Sequence, residues 1–266
     1  MQEGSQLSQL DEICIKADLI EISRALKFPD FTDDGKYLIH YSLHDFTKTL
    51  GTPEDDVTNT FTARLLLLLE SCALIGEEVY REIAGDVLAQ YWRDYGDHRS
   101  DFMPAFLAND ILRLWRTFCV NYEARTDREP DIKKAKGKIK NYKLKHSRLL
   151  TCYSAVLYLL GVYGKNNTVS PQDALHMFGR SPTHRIEDLA SDPAFTHAAE
   201  TLSRLLDQYE QFLITTNIAE ADLVARFCDR KESSEMMAAS KRFGDLMFKA
   251  LNEIGKGNAF HRMLVV

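Results

Sequence analysis

Lysine and arginine carry the clearest chemical signal in this chain. Lys133, Lys134, Lys136, Lys138, Lys140, Lys143, Lys145 and Arg148 hold eight of the 33 basic residues, and no carboxylate interrupts the chain between Asp131 and Asp173. Such a block makes a local electropositive surface suited to a triphosphate or an RNA backbone. The same block also reads as a solubilising helix face whose lysine stems cover apolar surface.

A second group lies between Phe102 and Tyr122. On a helix, Ile111, Trp115, Phe118 and Tyr122 form an apolar stripe, while Asn109, Asp110, Arg113, Arg116 and Glu123 gather on the opposite side. Two arginines beside carboxyl and amide groups can make an anion site; a solvated face with i,i+3 pairs such as Asp110 with Arg113 has the same spacing. A third group is His40 and His44 with Asp45, and His184 near Arg180. His40 lies in a strand-like run and no glutamate follows it as in a zinc-binding helix, so no metal site is assigned. There is no G-x-S-x-G, no phosphate-binding glycine loop and no cysteine with an obvious histidine partner, so no catalytic residue is assigned either.

The whole chain gives these groups an acidic setting. Its 266 residues carry a net charge of -6, so no global field draws nucleic acid or an anionic membrane, and any polyanion contact must be local. With 45% hydrophobic residues it can bury a core, which excludes disorder and fibres. The five cysteines are scattered, without C-x-x-C spacing, and fit a reducing cytoplasm better than a disulfide framework or a zinc knuckle. No signal peptide opens the chain, and the longest apolar run, Leu149 to Tyr163, is short of the roughly 20 residues of a membrane span. It reads as a buried helix.

Helices must position the candidate groups. Thr52-Pro53 with Asp55, Ser170-Pro171 with Asp173, and Ser181-Pro182 each place a hydroxyl at N-cap and proline at the first helical position. Helices are predicted at 53–75, 77–95, 104–125, 133–163, 171–179, 182–190, 194–216, 219–228 and 233–254, the last ending at Gly255 and Gly257 with Met236, Met237, Phe243, Met247, Leu251 and Ile254 as its apolar stripe. The first fifty residues differ. A helical pattern from Leu7 to Leu26 is followed by a turn at Asp33-Asp34-Gly35 and a strand candidate at Tyr37–Tyr41, which has no evident partner. The one linker-like stretch is Arg125–Asp131.

Several of these segments are familiar together. TFTARLLLLLES (60–71), FLANDILRLWRTFCVNYE (106–123), KLKHSRLLTCYS (143–154), SPTHRIEDL (181–189), YEQFL and KRFGDLMFKALNEIGKGN resemble the post-catalytic part of a bacterial family of nucleotidyltransferases with a DNA polymerase β-like catalytic domain. The likeness runs from about residue 12 to the C-terminus. It implies an α/β core followed by a helical domain that holds nucleotide or acceptor. Catalysis in such a core needs a Gly-Ser turn for the triphosphate and two or three carboxylates on adjacent strands for paired Mg²⁺. This sequence departs there: Gly4-Ser5 is followed by Asp11 with no D-x-D. Residues 17–51 resemble the last helix and strand of the core, and the metal-binding front end is expected upstream of Met1.

A complete core needs on the order of 80–100 residues; 52 precede the first bundle helix. The expectation is a mainly α protein, a helical bundle (53–266) preceded by a short α/β remnant of a nucleotidyltransferase core (1–52). The resemblance implies NTP as substrate, Mg²⁺ held outside this chain, and a nucleotide, RNA or protein acceptor; a separate chain could supply the catalytic core. Lys143, Lys145 and Arg148 are expected to bind phosphates, and Asn109, Asp110, Arg113 and Arg116 to orient nucleotide or acceptor. Asp55, Asp56, Asn59 and Arg64 are expected at the junction with the core. The rival reading is a non-catalytic interaction module that binds RNA or a partner protein through the 133–148 basic helix.

Overall fold

The structure, a computed structural model, describes residues 7–31, 35, 38–123 and 131–264. It is mainly α, and no strand occurs among the described residues. The expected turn at Asp33-Asp34, Tyr37 and the linker up to Pro130 lie outside them. Two compact units divide the chain, residues 1–61 and 62–266.

In the first unit, α1 (Gln9–Ala25) is opened by Ser8, whose hydroxyl accepts the Asp11 N–H while the Asp11 carboxylate accepts the Ser8 N–H. None of the residues of α1 is buried. The strand expected at Tyr37–Tyr41 does not form over residues 38–41. Leu38 donates its N–H to the Gly35 carbonyl at 2.9 Å, and Ser42 then caps a short helix, α2 (Leu43–Lys48), through a reciprocal bond with Asp45. A strand without a neighbour leaves its backbone groups unpaired, whereas the Gly35 turn and the Ser42 cap satisfy them locally.

The helix expected over 53–75 is two helices, α3 (Pro53–Val57) and α4 (Thr60–Glu70). Between them Asn59 adopts a left-handed φ of 58°, a conformation asparagine tolerates better than most residues. Thr52 occupies the N-cap of α3, but its hydroxyl donates back to the Thr49 carbonyl at 2.8 Å and makes no side-chain cap.

The second unit is built around one long rod. α7 (Asp131–Lys143) continues through a π-helical turn, Leu144–Arg148, into α8 (Leu149–Asn166). α8 is buried on nearly every side, as its sequence predicts. Gly161 marks the closest approach: a Cβ there would meet the Leu189 side chain at 2.7 Å and Phe195 at 3.2 Å. Against this rod pack α6 (Ala105–Glu123), α9 (Pro171–Phe178), α10 (Pro182–Ser191), α11 (Ala199–Thr216), α12 (Glu220–Cys228) and α13 (Arg230–Gly255), with α5 (Glu77–Tyr91) against α9 and α14 (Ala259–Met263) closing the end. The expected caps at Ser170 and Ser181 form: their hydroxyls accept from Asp173 N–H and His184 N–H. α13 ends at Gly255 as predicted, with Met236, Phe243, Met247 and Ile254 buried.

Candidate phosphate-binding face

α7 is two-sided. Ala135, Ile139 and Tyr142, spaced at helical intervals, enter an apolar cluster with Phe212, Leu223, Phe227 and Met236. Its lysines take the remaining surface. Lys136 pairs with Glu220 at 3.0 Å, and Lys138 donates to the Ser233 hydroxyl at 3.0 Å. Lys134, Lys140 and Lys143 are exposed and Lys145 is half-buried; none of the four makes an ion pair with a described residue. Lys136, with a further contribution from Lys143, holds the Glu220 carboxyl below its usual range.

The π turn, which carries Lys145, leads from α7 into the buried α8. At its centre His146 is 1% exposed, stacked on Phe212 at 4.5 Å with the ring planes 5° apart, and on Phe243 at 4.9 Å. Its Nδ1 lies 2.9 Å from the Tyr142 carbonyl, which can only accept, so Nδ1 carries the proton. Burial pushes the imidazole down to about 4, the carbonyl bond opposing the shift. His146 is therefore neutral at pH 7.

Arg148, expected to bind phosphate, is already engaged: its guanidinium pairs with Glu70 and lies 5.1 Å over the Phe118 ring. The other Glu70 oxygen accepts the Thr151 hydroxyl at 2.8 Å. Behind this pair Arg185 is fully buried. It donates to the carbonyls of Met177 at 2.9 Å and Leu69 at 3.2 Å, ending α9 and α4, and approaches the Ser154 hydroxyl at 3.5 Å. Burial lowers the guanidinium to about 10, against the pull of Glu70, so it stays charged. Cys152 beside it is pushed up to about 12, chiefly by burial, and is no nucleophile at neutral pH.

The α6 residues separate. Asp110 is not on the solvent face expected for it. One helical step of about 100° from Asn109 carries it to the arc of Leu107, Ile111 and Leu114, all buried. There it accepts from Tyr91 Oη at 2.8 Å, and Tyr91 in turn accepts from Arg64 Nε at 3.2 Å. Burial and the Asp110 charge raise the Tyr91 phenol, which holds its proton. Asn109 and Arg116 are exposed, and Arg113 is half-buried. The Arg116 charge acts on Tyr153 of α8.

The expected junction residues are divided between the units. Asp55 is buried in the first and approached by the Thr49 hydroxyl at 3.4 Å; Asp56 is exposed, and the Asn59 side chain bonds Tyr41. Arg64, fully buried, belongs to the second. His184 and His44 serve a cap and a surface pair: His184 Nδ1 meets Ser181 Oγ at 2.9 Å, Arg180 pairs with Asp188, and His44 stands 3.9 Å from Asp45, while His40 Nδ1 is buried without a hydrogen-bond partner among the described residues. No three His, Cys, Asp or Glu side chains among the described residues are arranged to hold a metal ion.

Sequence reasoning missed Glu70, the counter-charge of Arg148, Thr151, which bonds that carboxylate, and Arg185, which ties α9 to α4. For Arg185 the signal was its spacing: it stands four residues before Leu189 and next to Ile186, on the face that α10 buries. It also missed the contact of Tyr158 with His176, 2.8 Å apart in a cleft of about 210 Å³. Comparison with protein-family models, with curated proteins and with solved structures gives no match.

Proposed function

We propose that the 62–266 unit is the helical, substrate-holding portion of a nucleotidyltransferase-like protein, and that it grips the phosphates of a nucleotide or RNA substrate along α7 and the π turn. The observation that carries this reading is the charge of Lys134, Lys140, Lys143 and Lys145, which make no ion pair with a described residue, on a rod without a carboxylate after Asp131, in a chain of net charge -6. The segment resemblance supplies the transferase context. Asn109, Arg113 and Arg116 would complete the set from α6. Arg148 acts by positioning, since its charge is matched by Glu70. Mg²⁺ and the transfer chemistry would come from a core that these residues do not form.

One observation favours the rival, a non-catalytic RNA-binding module. From Lys134 to Lys145 the lysines are spread along about 16 Å of helix at about 1.5 Å per residue, with Lys134 and Lys143 about half a turn apart, a distributed charge rather than a pocket. A single assay separates the two. The chain is titrated with labelled ATP, GTP and single-stranded RNA over a salt series, with and without Mg²⁺. NTP binding that weakens in Lys143→Ala/Lys145→Ala supports the transferase reading. RNA binding with no NTP binding and no NTP consumption assigns the rival, and binding of neither removes both.

A further inference from the structure

A groove of about 600 Å³ opens where α8 ends, the 3₁₀ turn Pro193–Phe195 passes, and α13 gives way to α14. It is independent of the lysine face on α7, and the sequence marked its residues only as a helix end and part of a family-like segment. Its floor is apolar, formed by the buried Phe195 and Ile254. Lys165, His197, Glu253, Lys256 and Asn258 also line it.

The walls are fixed before any ligand arrives. Asn258 accepts the Phe260 N–H at 2.8 Å and donates through Nδ2 to the Leu160 carbonyl at 3.0 Å, tying the turn after α13 to α8. His197 Nε2 donates to the Glu253 carbonyl at 3.1 Å. A Cβ on Gly255 would lie 2.4 Å from the His261 ring, and one on Gly164 would lie 3.3 Å from Asn258 Nδ2, so neither backbone has slack. A preformed wall spares a ligand the ordering cost of making it.

Two needs in the groove are unmet. Lys256 makes no ion pair with a described residue, while Lys165 shares its charge with Asp192. Glu253 Oε2 is buried with no hydrogen-bond partner, its other oxygen lying 3.5 Å from Lys249. The helix ends nearby do not attract a cation through free carbonyls, because those of Leu160, Tyr163, Glu253 and Gly255 already accept hydrogen bonds. The groove thus lacks one anion and one hydrogen-bond donor, and its volume falls in the ~300–1,000 Å³ range of small-molecule sites.

We propose that this groove binds a small phosphorylated metabolite bearing free hydroxyls, a pentose phosphate or a nucleoside monophosphate. Lys256 and Lys165 take the phosphate, a hydroxyl donates to the Glu253 carboxylate, and the carbon skeleton or base lies on Phe195. The test titrates the full chain with ribose 5-phosphate, AMP, ribose and inorganic phosphate, following backbone amide shifts of Gly164 and Gly257. Ribose 5-phosphate is expected to bind about tenfold more tightly than inorganic phosphate or ribose. Lys256→Glu, at an exposed and unpaired position, should lose that binding with an unchanged melting temperature. Glu253→Gln should weaken ribose 5-phosphate and leave inorganic phosphate as it was. AMP tighter than ribose 5-phosphate assigns the nucleotide; equal affinity assigns the sugar phosphate. No saturable shift at these glycines, or inorganic phosphate binding as tightly as ribose 5-phosphate, overturns the proposal. So does loss of binding in Lys134→Glu/Lys140→Glu/Lys143→Glu, which alters only α7 and tests the phosphate-face reading separately.

Discussion

The two halves of the long rod use the same backbone for opposite ends. α7 buries a narrow stripe and keeps Lys134, Lys140 and Lys143 in water, whereas α8 is buried on nearly every side, its entry guarded by Arg148 on Glu70. The change falls within the π turn, where one additional residue per turn shifts the register of side chains between the halves. Within the basic block, the residues that make no ion pair with a described residue stand on α7 and at Lys145 in the turn, whereas Arg148 at its end is matched by Glu70.

Removing the deepest brace of the buried half should cost most. Arg185→Ala leaves the Met177 and Leu69 carbonyls without their donor and deletes a large buried side chain, and it is expected to lower stability by about 3–5 kcal/mol, read as a shift in the urea midpoint. An unfolding curve within about 0.5 kcal/mol of wild type would mean that the guanidinium braces nothing.

Acid should act next, through His146. Its folded-state imidazole is held down to about 4, below the usual value of 6.5. The unfolded chain therefore takes up the proton first as pH falls. Stability is full above about pH 6.5, declines as pH drops toward 4, and by then has lost on the order of 3 kcal/mol. His146→Phe, which keeps an aromatic ring in the stack, should flatten that part of the pH profile; an equally steep profile in the variant would assign the loss to other groups.

The smallest effect on stability is expected on the exposed half. Lys134→Glu/Lys140→Glu/Lys143→Glu should stay within about 0.5 kcal/mol of wild type. If the face binds single-stranded RNA, the same variant should reduce the salt dependence of log K by about 2, since each phosphate contact contributes about 0.7. A large destabilisation with an unchanged salt slope would reverse the assignment of the two halves.

Local signals made most of the architecture legible. Serine-proline starts, Gly255 and the apolar spacing of 149–163 are decided by neighbours in the chain, and those helices occur where they were expected. The strand expected at 37–41 does not form over residues 38–41 because strand formation depends on a partner, and the local alternatives at Gly35 and Ser42 satisfied the backbone first. The site was legible in part. The lysine block is a surface property that composition reveals. Whether Asp110 or Arg148 faces solvent depends on Tyr91 and Glu70, which lie 19 and 78 residues away and enter no periodic pattern.

Arg185 carries a consequence for the order of folding. Its bond to the Leu69 carbonyl joins residues 116 apart in the chain, while the rod from Asp131 to Asn166 is made of local bonds. Closing so long a loop is costly in chain entropy, so the rod forms early and the Arg185 bond late, after the rate-limiting barrier. The guanidinium then acts as a latch on escape: its loss should speed unfolding while leaving the refolding rate nearly unchanged.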